Sequence, residues 1–370
     1  VTVIITFISM KFEQIMPSAT TMADATLPTV AMDTEAGTQY NALHGYTSEL
    51  DSTLFYGNIT PVAKDRKLTV TINTYGEDIE GVAYKIRSLE DKSLIENTEV
   101  SDYDNAGSSI NVTFNIKNLL DTGKEYALEI VLKTKKHEAV YYYTRIVYGV
   151  DYDLQKKLDF VMDFNACTFD DSRLKDIAGY LETSSSGDNT NYGKVNINCS
   201  LSQVGWGDLD PYVESDIMPE VISVDDDVAI LRLSYRVGAA NDYSSSDTYT
   251  VSEYYRIRQT NSGFYLLNFE REMNQVFDAR NDLTSTAKIN LGINSSTDVN
   301  CASDEKGIYT YFVNQGSLWC FNSSSQTFTR VFSFKSEETD SVREGYDAHN
   351  IKIMKIEDNG DATFLVSGYM

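Results

Sequence analysis

Apolar and polar side chains alternate with a period of two along one short segment after another, and this pattern restricts the fold more than any other feature. Leu68, Val70 and Ile72 alternate with threonine and asparagine. The alternation recurs in four further segments: 82–86, 110–116, 126–132 and 140–146. It places one face of a strand in a core and the other in water, as in antiparallel sheets. The chain is therefore predicted to be mainly β.

Residues 27–150 contain about six or seven such strands, the number that a β-sandwich needs. Within this range, the stretch from Leu119 through Asp121-Thr122-Gly123 to Tyr126 resembles the corner that leads into the penultimate strand of fibronectin type III and other immunoglobulin-like modules. The resemblance implies that the Tyr126 hydroxyl bonds back to backbone upstream. We expect an immunoglobulin/fibronectin-III-like sandwich here. Such modules serve as spacers, adhesins and ligand binders alike, so the resemblance implies no single function.

The period changes to about 3.6 in residues 151–190, which favours helix. One helix is predicted from Leu154 to Asn165, and a second, shorter one from Leu174 to Leu181 with Asp170 or Asp171 as its cap. We interpret this stretch as a helical junction that fills the space between two β domains. A helix that binds a partner is the alternative.

Residues 191–370 return to strands, now in groups of four. The groups fall at 219–270 and 297–332, and a third begins at 351–367. Glycine at position 263 occupies the strained position of one turn. Repeated four-stranded units are typical of propeller blades, and a closed propeller needs at least four. This range is therefore predicted to be a partial, incomplete β-propeller.

The first ten residues, Val1 to Met10, are apolar and uncharged. A membrane span needs about 20 apolar residues, so this segment is the outer half of a truncated anchor, the end of a signal peptide or an ordinary strand. We expect the anchor, followed by a spacer, over residues 1–26. The strand-like pattern of Val366 to Met370 predicts that the chain is a fragment at this end also.

The order of these parts resembles membrane-anchored envelope proteins of Gram-positive bacteria that carry an immunoglobulin/fibronectin-III-like domain followed by a β-propeller. Three segments support the resemblance: Asn41 to Tyr46, Asn58 to Pro61 and Phe364 to Met370. It implies a location at the cell membrane, on the extracytoplasmic face. The family has no assigned activity, so the resemblance implies nothing about chemistry.

Charge excludes one class of partner. The chain has 55 acidic and 31 basic residues, a formal net charge of -24, and such a surface repels nucleic acid. A Gly-x-Ser-x-Gly elbow, a phosphate loop and a dinucleotide fingerprint are all absent from the sequence, which removes the commonest hydrolase, NTPase and dehydrogenase classes. The sequence therefore favours a protein without enzymatic activity.

No cofactor is predicted. The three histidines are scattered in sequence, and the four cysteines lack any C-x-x-C pair, which argues against zinc. Calcium is the one ion that the acidic clusters at 208–210 and 225–227 could take, although neither has the spacing of an EF-hand. Cys167 and Cys199 form one disulfide in an oxidising compartment, or all four cysteines are buried thiols.

Aromatic and basic side chains suggest a binding surface. Tyr142 belongs to a run of three tyrosines, and Tyr255 is followed by Arg256 and Arg258. Flat rings stack on sugars and arginine donates hydrogen bonds, so these four residues are the candidate site; a mixture of core and surface positions is the alternative. The chain is thus predicted to be a membrane-anchored binding or scaffold protein for an envelope protein or glycan. The alternative is a propeller enzyme acting on extracellular carbohydrate, with catalytic residues outside this chain.

Overall fold

The computed structural model describes residues 25, 27–103, 107–149, 152–240, 246–279, 284–285, 288–291, 300–335, 342–346 and 348–368. The protein is mainly β, as predicted, and its sheets are antiparallel apart from one pair of strands. The described chain divides into two compact units, residues 25–276 and 277–368. The sequence predicted boundaries after residues 150 and 190 instead, and both of these positions lie inside the first unit.

The first unit begins with nine strands in two sheets. Their bounds are β1 (Thr29–Asp33), β2 (Gln39–His44), β3 (Ile59–Val62), β4 (Lys67–Asn73), β5 (Ile79–Ser88), β6 (Leu94–Val100), β7 (Ser109–Asn115), β8 (Glu125–Thr134) and β9 (Val140–Tyr148), with a short 3-10 helix at Ser52–Leu54. One sheet has the order β2-β1-β4-β7 and the other has the order β3-β9-β8-β5-β6. Only β3 and β9 pair in parallel among these strands.

The two sheets share one core because their apolar faces meet. The ring of Tyr84 on β5 stacks on that of Phe114 on β7, with centroids 4.8 Å apart. The Tyr84 hydroxyl also donates to the Asn115 carbonyl at 3.1 Å. These residues join strands of different sheets, and Tyr84 and Phe114 are fully buried. The alternation read from the sequence therefore places the predicted side chains inside.

The corner before β8 has the contact that the resemblance implies. The backbone N–H of Asp121 donates to the Tyr126 hydroxyl at 2.8 Å, and the ring is buried. Gly123 adopts a φ of +75°, which the turn between them requires and which L side chains rarely adopt. The prediction for Tyr126 is confirmed.

The rest of the first unit is a long-stranded sheet with helices against it. The elements are α1 (Leu154–Thr168), a 3-10 helix (Leu174–Tyr180), β10 (Lys194–Asn196), α2 (Leu201–Val204), β11 (Tyr212–Val213), β12 (Met218–Val224), β13 (Val228–Ala240), β14 (Ser246–Thr260) and β15 (Gly263–Gln275). The sheet has the order β10-β15-β14-β13-β11, and β12 also pairs with β13. Gly263, at φ +133°, begins β15 at the predicted turn.

Helix α1 lies on one face of this sheet. Phe160 stacks on Phe264 with centroids 4.8 Å apart, and Phe164 contacts the rings of Tyr255 and Phe269. The predicted helix is therefore present, and it covers one face of this sheet within a single compact unit. The second predicted helix is a 3-10 helix whose N-cap position is Arg173, without a side-chain capping hydrogen bond, which corrects the expected cap at Asp170 or Asp171.

A buried asparagine connects the sandwich to the long-stranded sheet. Asn41 on β2 is fully buried at φ +50°. Its amide donates to the Ile59 carbonyl at 2.9 Å and to the Thr60 hydroxyl at 3.1 Å, and its carbonyl accepts the Val221 N–H of β12 at 2.7 Å. Three strands, each from a different sheet, thus meet at one side chain, which explains why this unit has no boundary near residue 150.

The second unit contains smaller sheets. Its elements are β16 (Thr284–Ser285), β17 (Lys288–Ile289), β18 (Cys301–Ser303), β19 (Tyr309–Asn314), β20 (Ser317–Asn322), β21 (Thr327–Ser333), a 3-10 helix (Val342–Gly345), β22 (Asn350–Ile356) and β23 (Ala362–Ser367). The strands β18 to β21 form a four-stranded sheet in chain order, as the sequence predicts, and β22 pairs with β23. None of the sheets in the described residues is closed.

The expected membrane anchor and its spacer, residues 1–26, lie outside the described residues apart from residue 25. Among the helices that the structure describes, none has the length and apolar character that crossing a bilayer demands.

Candidate functional site

Two of the four predicted site residues are buried and do not lie on a surface. Tyr142 on β9 is fully buried in the sandwich, and its hydroxyl donates to the Pro28 carbonyl at 2.7 Å. Tyr255 on β14 is fully buried beneath α1. These positions correct the expectation that both rings line a binding surface. The physical reason is strand geometry, because each ring points to the face of its sheet that is covered by other elements.

Tyr255 belongs instead to a buried polar cluster. Its hydroxyl donates to Glu253 Oε2 at 2.7 Å, and Asn165 of α1 donates to the same oxygen at 2.8 Å. The Asn165 amide also contacts the Tyr235 hydroxyl at 3.1 Å. Burial raises the pKa of both tyrosines well above the ordinary value, and the negative charge of Glu253 raises it further. Both phenols are therefore neutral hydrogen-bond donors or acceptors.

Arg271 supplies the positive charge of this cluster. Its Nη1 lies 3.7 Å from Glu253 Oε1, and both side chains are fully buried. The guanidinium also donates to the carbonyls of Val204 at 2.9 Å and Gln203 at 3.1 Å, and lies 3.3 Å from the centre of the Trp206 ring. Burial lowers the pKa of Arg271. The cluster joins β14, β15, α1 and the end of α2, and no part of it is open to a ligand, so we interpret it as structural.

Arg256 and Arg258 lie on the opposite, exposed face of the same sheet. They alternate with buried Tyr255 and Ile257 along β14, so both side chains point to solvent. In register, Arg258 pairs with Tyr265 of β15. Its guanidinium lies 5.4 Å from the Tyr265 ring centre, a cation–π contact, and that ring is 50% exposed.

Tyr254 lies on the same face of β14 as the two arginines, because every second residue of a strand points to the same side. We call Tyr254, Arg256, Arg258 and Tyr265 the basic-aromatic face. A bulge in β15 opposite Arg256 and Ile257 shifts the register by one residue. It thereby brings Tyr265, an odd-numbered residue, to the same side as the even-numbered arginines.

The arginines of the basic-aromatic face are left without acidic partners. Arg256 and Arg258 make no ion pair with any residue that the structure describes. By contrast, Arg232 on the same face of β13 pairs with Glu220, with Nη2 and Oε2 2.5 Å apart. In a chain with 24 more acidic than basic residues, two neighbouring exposed arginines without such a partner are unusual. They leave two guanidinium groups free to donate to a ligand.

This arrangement is chemically suited to an anionic ligand with flat or extended surfaces. Alternate residues of one strand are about 7 Å apart, so Arg256 and Arg258 present two charge-assisted donor groups in a row. Each guanidinium can hold a carboxylate or phosphate through two parallel hydrogen bonds. Tyr265 and Tyr254 add ring surfaces for stacking. The four side chains include no carboxylate.

The acidic clusters are arranged less favourably for a cation. The carbonyls of Asp225 and Asp226 accept from the Lys157 ammonium at 2.6 and 2.9 Å, so a positive charge is already present at that turn. Within the part of the chain that the structure describes, no three His, Cys, Asp or Glu side chains come together as a metal site requires. The expectation of no cofactor stays a prediction, with calcium as its alternative.

The four cysteines are free thiols in the structure. Cys167, Cys199 and Cys320 are buried, in agreement with the second of the two alternatives, whereas Cys301 is exposed. Burial raises the pKa of Cys167 and of Cys320, which keeps these thiols protonated and unreactive.

Sequence reasoning chose Tyr255 from the adjacent pair Tyr254 and Tyr255, and it missed Tyr265. The signal for Tyr254 was present, since residues 254, 256 and 258 must share one face of an uninterrupted strand. Tyr265 could not be found in this way, because its place on the face depends on the turn at 260–263 and on the bulge in β15.

No protein-family model matches the chain, and a comparison with curated proteins gives no match. A comparison with solved structures finds similarity to Spo0M, a sporulation control protein from Bacillus subtilis, at 8% sequence identity. The match covers 69% of this chain and 91% of that chain, with a TM-score of 0.20. A likeness at this TM-score indicates neither a shared fold nor a shared function.

Proposed function

We propose that this chain is an extracytoplasmic binding or scaffold protein, held at the cell membrane by its N-terminal segment, that binds an anionic component of the cell envelope. The observation that supports binding is the pair of exposed arginines, Arg256 and Arg258, which have no acidic partner among the described residues and lie beside exposed Tyr265. The ligand is an acidic envelope glycan or an acidic envelope protein. The location rests on the sequence resemblance and on the apolar segment at residues 1–10.

Binding without catalysis is the better proposal for this face. It is open to solvent, and its four side chains provide cations and rings, which hold a ligand. An enzyme that hydrolyses carbohydrate would need a cleft with a pair of carboxyl groups, one on each side of the scissile bond. The basic-aromatic face has neither feature.

We propose that the sandwich is of the immunoglobulin type. In favour are the strand order β3-β9-β8-β5-β6, with β3 parallel to β9, and the separate pairing of β4 with β7. The buried corner tyrosine, Tyr126, adds to this. In the proposed function, this part of the chain is a stalk that carries the rest away from the membrane.

We propose further that β18 to β21 form a propeller blade and that β22 and β23 belong to a second one. Blades stack face to face, so a blade must be apolar on both faces. The sheet β18 to β21 has this property. One face packs with Phe277 through Phe312, Trp319 and Phe328, and the other contains Tyr311, Leu318 and Phe332 together with Ile351 of β22. Residues 219–270 are not included, because they belong to the long-stranded sheet of the first unit.

A binding assay with a matched charge control tests the proposed function. The full chain is titrated with polygalacturonate, which is anionic, and with dextran, which is neutral. We expect binding of polygalacturonate alone, and a loss of at least about tenfold in affinity for R256A/R258A, since each charge-assisted contact contributes about 1.5–3 kcal/mol.

The control is K64A/K67A, which removes the same net charge from two exposed lysines of the sandwich. Its affinity should stay within about twofold of the original, because those lysines lie outside the basic-aromatic face and are screened at physiological ionic strength. Equal losses for both double variants would show that net charge, and not this face, governs binding. Equal binding of dextran would contradict an anionic ligand.

A further inference from the structure

A polar groove lies on the outer face of the sheet β2-β1-β4-β7 and shares no residue with the basic-aromatic face. Its volume is about 440 Å³, within the usual range for small-molecule sites. Nearly all of its lining side chains are polar, and they come from the β1–β2 turn and from β1, β2, β4 and β7. They are Asp33, Thr34, Glu35, Gln39, Thr69, Thr71, Ser109 and Asn111, with Gly37.

Asp33 is the central charged group of this groove. Its carboxylate is half-buried and accepts hydrogen bonds from the Thr71 hydroxyl, at 2.7 Å, and from the Gln39 side chain. The lining contains no lysine, arginine or histidine, and Asp33 forms no ion pair with a described residue. Burial raises the pKa of Asp33, and its hydrogen bonds from Thr71 and Gln39 only partly offset this, so a cation in the groove would favour the charged carboxylate.

The neighbouring side chains supply further acceptors. The Thr71 oxygen lies 2.7 Å from Asp33 Oδ2 and 2.9 Å from Asn111 Oδ1. A hydroxyl has one proton, so Thr71 can donate to one of these oxygens and leaves the other available to accept from a ligand. A group with several N–H donors and a positive charge fits this set of oxygens.

The turn that forms one wall of the groove is held in place by α1. Thr34 donates to Gln155 Oε1 at 2.5 Å, and Gln155 Nε2 donates to Thr38 at 2.9 Å. Gln155 thereby fixes both ends of the turn between β1 and β2. A wall fixed in this way is preorganised, which reduces the entropy lost when a ligand binds.

We propose that this groove binds the primary ammonium group of a small hydroxylated molecule, with Asp33 as the charged partner and the Asn111 and Thr71 oxygens as further acceptors. An ammonium group has three donors and one positive charge, which match one carboxylate and two neutral oxygens. The surrounding hydroxyl groups of Thr34, Thr69 and Ser109 suit a ligand that itself carries hydroxyls. This site goes beyond the proposed function and is independent of the basic-aromatic face.

Ligand-observed NMR with a series of probes tests the site in the full chain at about pH 6.5, where a primary amine is protonated. The probes are glucosamine, N-acetylglucosamine and lysine, and Ca²⁺ is added as a competitor. We expect glucosamine to bind and N-acetylglucosamine, which lacks the charge, to bind at least about tenfold more weakly. If lysine binds as strongly as glucosamine, the groove recognises the ammonium group alone. If lysine binds more weakly, the groove also recognises the hydroxyl groups of glucosamine.

Two variants place the binding in the groove. D33N should lower glucosamine affinity at least about tenfold, because it removes the charge but keeps the shape. N111A should lower it severalfold and provides a second test if D33N folds poorly. D78N, on an exposed aspartate outside the groove, is the matched control and should bind as the original does.

The proposal is overturned if N-acetylglucosamine binds as well as glucosamine, if glucosamine does not bind, or if D33N, folded by circular dichroism, keeps full affinity. Competition of Ca²⁺ with glucosamine at micromolar concentration would make the groove a metal site instead. Binding of polygalacturonate by D33N separates the two proposals, since that affinity depends on Arg256 and Arg258 and not on Asp33.

Discussion

Arg271 and Glu253 are a fully buried ion pair, and each member also has hydrogen-bond partners of its own. Arg271 donates to two carbonyls and lies against Trp206, whereas Glu253 accepts from Tyr255 and Asn165. A buried charge is costly unless it is paired, so each member of the pair depends on the other. The pair therefore connects the end of α2 to the centre of the long-stranded sheet.

Replacing Arg271 with methionine should lower the free energy of unfolding by about 3–5 kcal/mol, since it leaves the Glu253 charge buried without its cation. Urea unfolding of the full chain, followed by Trp206 fluorescence in a Trp319→Phe background, measures this. The double variant Glu253→Gln/Arg271→Met serves as the control and should lose less than the sum of the single losses. Additive losses would contradict a coupled pair.

The buried tyrosines predict a loss of stability at alkaline pH. Burial raises the pKa of Tyr255 and Tyr235 well above their ordinary value of about 10. In the unfolded chain both titrate near pH 10, so their contribution is complete below that pH and is lost as the pH rises above it. We expect the unfolding free energy to fall as the pH rises above about 10, and to fall less in Tyr255→Phe. An equal fall in both proteins would contradict the assignment to Tyr255.

Single residues show where sequence reasoning succeeds and where it stops. The alternation along β14 places Arg256 and Arg258 on one face, and the same rule assigns Tyr254 to that face and Tyr255 to the other. Which face is covered does not follow from the alternation. It depends on α1, whose Phe164 packs on Tyr255. The burial of Arg271 was equally beyond prediction, because its partners are 67 and 68 positions away in sequence.

At the scale of elements, the corner before β8 is the feature that local sequence predicts best. It is formed within six residues, from Asp121 to Tyr126, so no distant partner is needed. The hairpin turn before Gly263 and the four-stranded order β18 to β21 are local in the same sense and were also predicted. The long-stranded sheet was not predicted as such, because the sequence pattern does not show that β10 pairs with β15 or that α1 covers one face.

The corner hydrogen bond should be measurable in isolation. Tyr126→Phe keeps the buried ring and leaves the Asp121 N–H without its acceptor, and a buried unsatisfied group costs about 1–3 kcal/mol. We expect the urea midpoint to fall accordingly. Tyr148→Phe, at a partly exposed position on β9, is the control and should change little, because it removes only a long hydrogen bond from Arg66 at 3.4 Å. A stability of Tyr126→Phe equal to that of the original chain would mean that the corner contact is not formed in solution.

At the scale of the whole molecule, residues 25–276 are one compact unit that contains two β assemblies. The sequence suggested two domains joined by helices, because the patterns of 27–150 and 191–370 differ. The contacts of Asn41 explain the outcome. This residue bonds within the sandwich and also to Val221 of β12, 180 positions away.

Asn41→Gly tests whether this unit unfolds as one. Glycine keeps the positive φ but removes the amide, which leaves buried groups without partners at about 1–3 kcal/mol each. In a Trp319→Phe background, Trp206 reports on the long-stranded sheet alone. We expect the midpoint seen by Trp206 to fall, although the substitution lies in the sandwich. An unchanged Trp206 midpoint, with the sandwich unfolding earlier by circular dichroism, would support two independent domains.

The net charge of -24 opposes the proposed ligand at long range, and this has a measurable consequence. The Debye length is about 30 Å at 0.01 M salt and about 8 Å at 0.15 M, so remote carboxylates repel an anionic polymer chiefly at low salt. Contacts with Arg256 and Arg258 are weakened only at higher salt. Affinity for polygalacturonate should therefore pass through a maximum as salt increases. A steady decrease from the lowest salt would contradict this balance.

The most direct test of the proposed binding face is the NMR spectrum of arginine side chains, recorded while the full chain is titrated with polygalacturonate. The Nε–H signals are assigned by single substitution, and buried Arg271 serves as an internal reference. We predict that the signals of Arg256 and Arg258 shift together and saturably while that of Arg271 stays fixed. Saturable binding in which Arg256 and Arg258 do not move would contradict the basic-aromatic face as the binding site.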